Sequence, residues 1–367
     1  MTTGPPLRER IAEWAAVDTD PSKTPAKLDG IDGEQHEILE GLKDSGILHL
    51  SGVGAPTEDG PMPEDPLRPR KPQAKLLSSM LAAAAEHRFQ RLWNAAGYPD
   101  RARLLSASGP TAGTSLVAKL SLRGTAFCDW QWSQALRWRI GNMQCTPVTI
   151  CRNMKLNGEE CRERTCPSGD HAVECPCGPL RTRRHDDLAD VYADIFDEIG
   201  GIARREIFVP ELSGTEEAWL DVWGYGVPEL PDALLDVSVR HPRAGRYITA
   251  AAQHPGAAAA AGSRENRDKY PSRAGRCIWP VIHETWDRLG EDAEQLLQLC
   301  AAAGRRYSHR RGRACGQELA SWRARLDGTL QRAVCMQHAS CMRGLPGRKQ
   351  YRPRPLDLAA LEAGTPV

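Results

Sequence analysis

Ala218-Trp219-Leu220-Asp221-Val222-Trp223-Gly224-Tyr225 and Asp232-Ala233-Leu234-Leu235-Asp236-Val237-Ser238-Val239-Arg240 are the two runs on which the fold turns. Strand alternation puts Trp219, Asp221, Trp223 and Tyr225 on one face of the first, and Leu234, Asp236, Ser238 and Arg240 together in the second. The connection Gly226-Val227-Pro228-Glu229-Leu230-Pro231 reads as a hairpin loop. If it closes symmetrically, residues whose numbers sum to 457 face each other, and Asp221 with Asp236 is such a pair. Opposed residues of an antiparallel hairpin hold their Cβ atoms about 4.5–5.5 Å apart. Two carboxylates that close repel by a few kcal/mol at an effective dielectric of about 20. A sequence sets them inside apolar strands chiefly where a cation compensates. Magnesium suits two hard oxygen ligands together with water and a phosphate.

Upstream, Arg183-Arg184-His185-Asp186-Asp187 opens an amphipathic helix in which Leu188, Val191, Tyr192, Ile195 and Ile199 recur at helical spacing, ended by Gly200-Gly201. Acidic residues in a first turn suit the positive helix end, so capping competes with a site role for Asp186 and Asp187. An extended piece, Arg205 to Val209, leads into the two strands. Downstream, Lys269 is the sole lysine between Asn157 and Arg348 in a stretch rich in arginine. It falls in Arg264-Glu265-Asn266-Arg267-Asp268-Lys269-Tyr270-Pro271, the expected last turn of a helix stopped by proline. A compact ammonium there can stabilise a phosphorane-like state or orient an attacking water, which a broad guanidinium does less well. Alternatively, it is only a favourable charge at a helix C-terminus.

Just before this region lies Cys161-x4-Cys166-x4-His171-x3-Cys175-x-Cys177, five candidate ligands for a tetrahedral zinc site. The expected set is Cys161, Cys166 and His171 with one of Cys175 or Cys177; Cys145 and Cys151 can substitute. A closed site of this kind is structural, since no position stays open for water. Farther on, Cys335-x2-His338-x2-Cys341 offers a weaker candidate, for which a plain helix is the preferred reading.

The chain of 367 residues has 12 cysteines, 41% hydrophobic and 26% charged residues, and a formal net charge of +1. That balance excludes an argument for a polyanionic partner from total charge, leaving only local patches. One patch is Arg305-Arg306-Tyr307-Ser308-His309-Arg310-Arg311-Gly312-Arg313, where Arg305, Arg306, Arg310, Arg311 and Arg313 are candidate phosphate contacts. No apolar run of membrane-spanning length occurs, and Met1 to Pro6 lacks a signal-peptide pattern, so a nuclear or cytoplasmic protein without disulfides is expected.

Pattern and composition divide the chain into a helical segment at 1–53, a Pro-rich linker at 54–73 and a helical region at 74–144. A Cys/His module at 145–180 and a catalytic core at 181–302 follow. A basic helical extension at 303–343 and a disordered tail at 344–367 complete the chain. Within the core, Ala257 to Ala261 is an alanine-rich insert to which the sequence assigns no role.

The order of Cys/His module, Arg-His-Asp helix, strand with Asp221, strand Leu235-Asp236-Val237-Ser238-Val239-Arg240-His241-Pro242 and then Asp268-Lys269-Tyr270 resembles the C-terminal zinc knuckle and restriction-like endonuclease of site-specific non-LTR retrotransposons. The similarity extends over residues 75–300. It implies an α/β fold of the PD-(D/E)XK type, a mixed sheet flanked by helices, with catalytic Mg2+ and structural Zn2+. It also implies nicking of one strand of target DNA. RNA is a second candidate partner in a non-catalytic reading, where the Cys/His module and the basic run hold phosphates. By this resemblance Asp221 and Asp236 are the metal-binding acids, Lys269 is a relocated catalytic lysine, and His185 and Asp186 complete the site. Leu220 stands where the family name puts proline, and Pro231-Asp232 competes for that place. No Tyr/Phe-x-Asp-Asp signature of a reverse transcriptase occurs, so the expectation is a nuclease fragment. The alternative is a catalytically inactive, zinc-containing nucleic-acid-binding remnant.

Overall fold

A computed structural model describes residues 86–141 and 150–343, apart from positions 111, 118–125, 156, 215, 229, 274 and 310–316, together with residues 356–357. All of these fall within the second of two compact units, Leu81–Val367. The expected helix at 1–53 and the linker at 54–73 lie outside the described residues, as does all of the expected tail at 344–367 except 356–357. So does the first part of the helix expected from Ala74, of which 86–95 is described as helical.

A helix at Tyr98–Ala107 (α1) and another at Asp129–Ile140 (α2) precede a five-residue helix, Asp170–Glu174 (α3). The long helix Leu180–Glu198 (α4) then leads into a mixed sheet. Its strands are Ile202–Phe208 (β1), Trp219–Tyr225 (β2), Ala233–Arg240 (β3) and Ile278–Glu284 (β4), with β3 joined to β4 through Ala257–Lys269 (α5). Helices Glu291–His309 (α6) and Gln317–Arg343 (α7) follow, and Leu356–Asp357 (β5) adds two residues beside β1. The sheet order is β4-β3-β2-β1-β5. β2 runs antiparallel to both β1 and β3, whereas β3 pairs with β4, and β1 with β5, in parallel.

The β2–β3 hairpin pairs Val222 with Leu235, Trp223 with Leu234 and Gly224 with Ala233, the symmetric register read from the loop. A one-residue slip would have exchanged the faces of every side chain in β3. Gly224 is required by the helix above it: a Cβ there would stand 2.4 Å from the Phe196 ring. The core on this side joins Leu188, Tyr192, Ile195 and Phe196 of α4 with Val222, Leu235, Val237 and Val281 of the sheet and with Leu326 and Leu330 of α7.

Two expectations are corrected. Helix α4 begins at Leu180, so its first turn carries no acidic residue and neither Asp186 nor Asp187 caps it. The alanine insert is the start of α5, where Ala258 and Ala259 are buried and the Ala259 amide donates to Glu284 Oε1 at 3.2 Å. Side chains larger than methyl would lift this helix off β4.

The extension at 303–343 is largely α7, and it packs into the same core. Arg325 reaches Asp194 at 2.8 Å and Trp322 donates to Glu198 at 2.7 Å, both on α4. At the other end of the sheet, Asp287 is buried beside Asp327 of α7, accepts from Gln331 at 2.7 Å and faces Arg139 of α2 at 3.5 Å. Burial and the neighbouring Asp327 carboxyl raise its pKa well above the ordinary range.

Two histidines are held neutral inside this framework. His283 on β4 meets the Tyr192 hydroxyl at 3.0 Å, and burial pushes its pKa down to about 3. His338 on α7 lies against Trp138, and burial pushes it down to about 4. An unfolded chain protonates such a histidine below about pH 6.5 while the folded chain resists, so stability falls with acidification, by up to about 1.4 kcal/mol per pH unit per group. His283→Gln keeps an acceptor for Tyr192. Its unfolding free energy is expected to fall less steeply than wild type between about pH 6.5 and 4, measured by denaturant titration. Equal slopes would contradict the assignment.

Candidate metal centres

β2 and β3 continue past their outermost pair, Val222 with Leu235, to Asp221 and Asp236, the next facing positions of the register. Asp221 is buried; its Oδ2 accepts from the Val237 amide at 2.6 Å. Its Oδ1 meets His185 Nε2 at 3.0 Å, while His185 Nδ1 meets Asp186 Oδ1, also at 3.0 Å. Burial opposes charge on this imidazole, but the hydrogen bonds to Asp186 and Asp221 outweigh it and push the pKa up to about 10. His185 is therefore a cation that links α4 to β2.

Asp236 accepts a hydrogen bond from Asn266 of α5. Burial, reinforced by the Asp221 charge, pushes its pKa up to about 7, against the opposing pull of Lys269, His185 and Arg240. Lys269 closes α5, exposed, with its Nζ 4.7 Å from the centre of the Tyr270 ring. Burial opposes its charge; Tyr270 and Asp236 favour it, and its pKa is raised.

The structure thus brings His185, Asp186, Asp221, Asp236 and Lys269 into one electrostatic neighbourhood. Asp232 stands exposed at the approach to β3. One further acid belongs with them. Glu206 of β1 sits at the step that the β1–β2 ladder skips, between the Arg205–Val222 and Ile207–Leu220 pairs, and has a φ of +54°, rare for a residue with a side chain. Burial first, then the charges of Asp221 and Asp186, raise its pKa. Reading 205–209 as a plain extended strand hides it. Arg205 braces the same place, donating to the Asp221 carbonyl at 2.8 Å and pairing with Asp190.

The cysteine-rich centre has a different composition from the one read along 161–177. Residues 150–164 carry a small antiparallel ribbon, bridged at Ile150–Arg164 and Met154–Glu160. It delivers Cys151 and Cys161. Helix α3 then supplies His171, with Cys175 just beyond it, and Cys341 arrives from the last turn of α7. The ligand atoms of Cys151, His171, Cys175 and Cys341 all lie within 4.8 Å of one another, as do those of Cys161, Cys175 and Cys177. Among the described residues these are the compact ligand groups, and the carboxylates of the sheet form none.

Cys166 joins neither group. Its sulfur accepts from the Asp170 amide at 3.1 Å and from Ser168 Oγ at 3.2 Å, both within the turn before α3. Its place is taken by Cys151 and Cys341, while Cys145 lies outside the described residues. The sequence shows Cys341 only as part of the weak Cys335/His338/Cys341 pattern, and 190 positions separate it from Cys151, the sulfur it meets.

This donor set fits a zinc-type ion. For tetrahedral ligation with Zn–S near 2.3 Å, thiolate sulfurs stand about 3.8 Å apart. Cys151 and Cys175 are 3.8 Å apart, Cys175 and Cys161 also 3.8 Å, and Cys151 and Cys341 3.3 Å. Asn153 Nδ2 points at the sulfurs of Cys175 and Cys341, at 3.6 and 3.5 Å, as an outer donor to thiolates does. Hydrogen bonds from Cys151, Cys341 and His171 hold Cys175 far below the ordinary thiol range. The cluster can therefore bind a metal such as zinc, closed by residues from the ribbon, α3 and α7.

Of the basic run, Arg305 is exposed on α6. Arg306 belongs to the same helix without a described side chain, and Arg310, Arg311 and Arg313 lie outside the described residues. No helix among the described residues is long and apolar enough to cross a membrane. Comparison with protein-family models and with curated proteins finds no match.

Proposed function

We propose that the sheet and its helices form a metal-dependent DNA endonuclease of the PD-(D/E)XK type, a target-nicking nuclease derived from a retrotransposon. The observation that carries this reading is the hairpin register, which sets Asp221 and Asp236 at facing positions beside a solitary lysine. Two facing carboxylates with a third acid nearby suit a hard divalent ion such as Mg2+. Asp221 and Asp236 would hold it, with Glu206 and Asp186 at its margin. When bound, such an ion neutralises charge on a scissile phosphate and lowers the pKa of a water.

The chain's own groups do the rest. His185, fixed between Asp186 and Asp221, orients the Asp221 carboxylate. Asn266 does the same for Asp236. Lys269, at the exposed end of α5, donates to a phosphoryl oxygen as negative charge grows there, or orients the attacking water. The elements of the cysteine centre also brace this arrangement. The segment at α3 and the end of α7 hold the start of α4 through Arg184, which donates to the Val173 carbonyl at 3.3 Å and to Gln337 at 2.9 Å.

Supercoiled plasmid tests this. Wild-type protein with magnesium is expected to convert it to the nicked circle, EDTA to stop the conversion, and Asp221→Ala to slow it by about 100-fold or more. Equal nicking by wild type and variant would exclude the proposed chemistry. A folded wild type that binds DNA without nicking it would leave the inactive, zinc-containing binding remnant.

A further inference from the structure

We propose that the cysteine centre holds two zinc-type ions, bridged by the Cys175 thiolate. The inner ion takes Cys151, His171, Cys175 and Cys341, and the outer takes Cys161, Cys175 and Cys177 with a water in its fourth position. This pair of ions stands whether or not the sheet is a nuclease.

Three observations lead to it. First, the two compact ligand groups share one member: Cys175 belongs to both, and the other five side chains divide cleanly between them. Six side chains exceed the four positions of a single tetrahedral ion. Second, the Cys175 sulfur is 3.8 Å from Cys151 on one side and 3.8 Å from Cys161 on the other. Both separations match the edge of a thiolate tetrahedron, about 3.8 Å for Zn–S near 2.3 Å, so Cys175 stands at a corner common to two of them. His171 Nε2, 3.7 Å from the Cys161 sulfur, lies along the same seam.

Third, exposure agrees with the division. Cys151, Cys175 and Cys341 are buried, whereas Cys161 and Cys177 are half-buried, so the inner ion is closed and the outer faces solvent. Three protein ligands and an open position are the arrangement in which a zinc ion keeps a water. Cys166 stays outside, its sulfur engaged by Ser168 and the Asp170 amide.

The full chain, expressed with zinc and desalted, should carry two zinc ions by native mass spectrometry and by elemental analysis. Cys161→Ser/Cys177→Ser should carry one and keep its far-ultraviolet circular dichroism. Substitution with cadmium of a magnetically active isotope should give two resonances, split by coupling through the shared sulfur. A chelator should remove the outer ion at least about 10-fold faster than the inner. One ion per wild-type chain, or two uncoupled cadmium resonances, would overturn the proposal, as would a double variant that still binds two. Should the double variant not fold, the wild-type stoichiometry and cadmium coupling decide alone.

Discussion

Asp236→Asn is expected to abolish nicking while making the metal-free protein more stable, two effects of opposite sign from one oxygen-to-nitrogen change. In the folded chain the Asp236 carboxyl titrates at about 7, because it is buried and faces the Asp221 charge. In an unfolded chain it titrates near the ordinary value of about 3.9. Between these limits the folded state holds a proton that the unfolded state releases. Stability contributed by this group is therefore fully present below about pH 4, declines as pH rises, and is gone above about pH 7. Asparagine never ionises. It keeps an oxygen to accept from Asn266 and turns an N–H toward Asp221, replacing repulsion by attraction. In EDTA at about pH 8 the variant should unfold at a higher denaturant concentration than wild type, and at about pH 4 the two should converge.

Magnesium reverses the ranking. An ion that binds only the folded state adds stability in proportion to the logarithm of its concentration over its dissociation constant. Wild type should gain midpoint temperature as magnesium is raised, and Asp236→Asn should not. Nicking by the variant should fall by about 100-fold or more, since even outer groups of metal sites are worth roughly 10- to 100-fold. A variant less stable than wild type in alkaline EDTA, or one that still nicks with magnesium, would remove Asp236 from the proposed role.

How far the sequence could be read depended on the range of the interactions. The Asp221–Asp236 register was legible because a hairpin is local: loop symmetry and the two-residue period fix which side chains face each other. The end of α5 at Lys269 was legible for the same reason, with Pro271 as the stop. The start of α4 was misplaced because residues 180–182 carry little apolar periodicity, and the earlier start moved Asp186 from the cap into the body of the helix. Glu206 was missed because nothing in a short extended piece marks a left-handed φ. The metal cluster failed at its most distant member. Cys161, His171, Cys175 and Cys177 were found through their proximity in sequence, and Cys166 was wrongly favoured for that same proximity. Cys341 reaches the cluster only because α7 packs along α4, which no local pattern encodes.

Cys341→Ser should destabilise the fold strongly, and its effect should reach the acidic site. The ribbon touches the end of α7 at the Cys341 backbone, where the carbonyl accepts from the Arg152 amide at 2.9 Å, and through the sulfur 3.3 Å from Cys151. Losing a ligand to a structural ion costs on the order of 4 kcal/mol, the range in which loss of a metal is diagnostic. For a folded unit of this size that is about 10 °C in unfolding midpoint. Exposed Cys277→Ser, which touches no ligand group, should leave the midpoint unchanged. Once the last turn of α7 is released, Gln337 no longer holds Arg184, and the first turns of α4 lose a buried hydrogen bond just before His185. His185 then fixes Asp221 less firmly, so nicking should fall in Cys341→Ser even below its unfolding midpoint, with magnesium affinity weakened. Limited proteolysis should cut first near the end of α7, and EDTA treatment of wild type should reproduce that cleavage. A Cys341→Ser protein with wild-type midpoint and zinc content would show that α7 is held to the ribbon by packing alone.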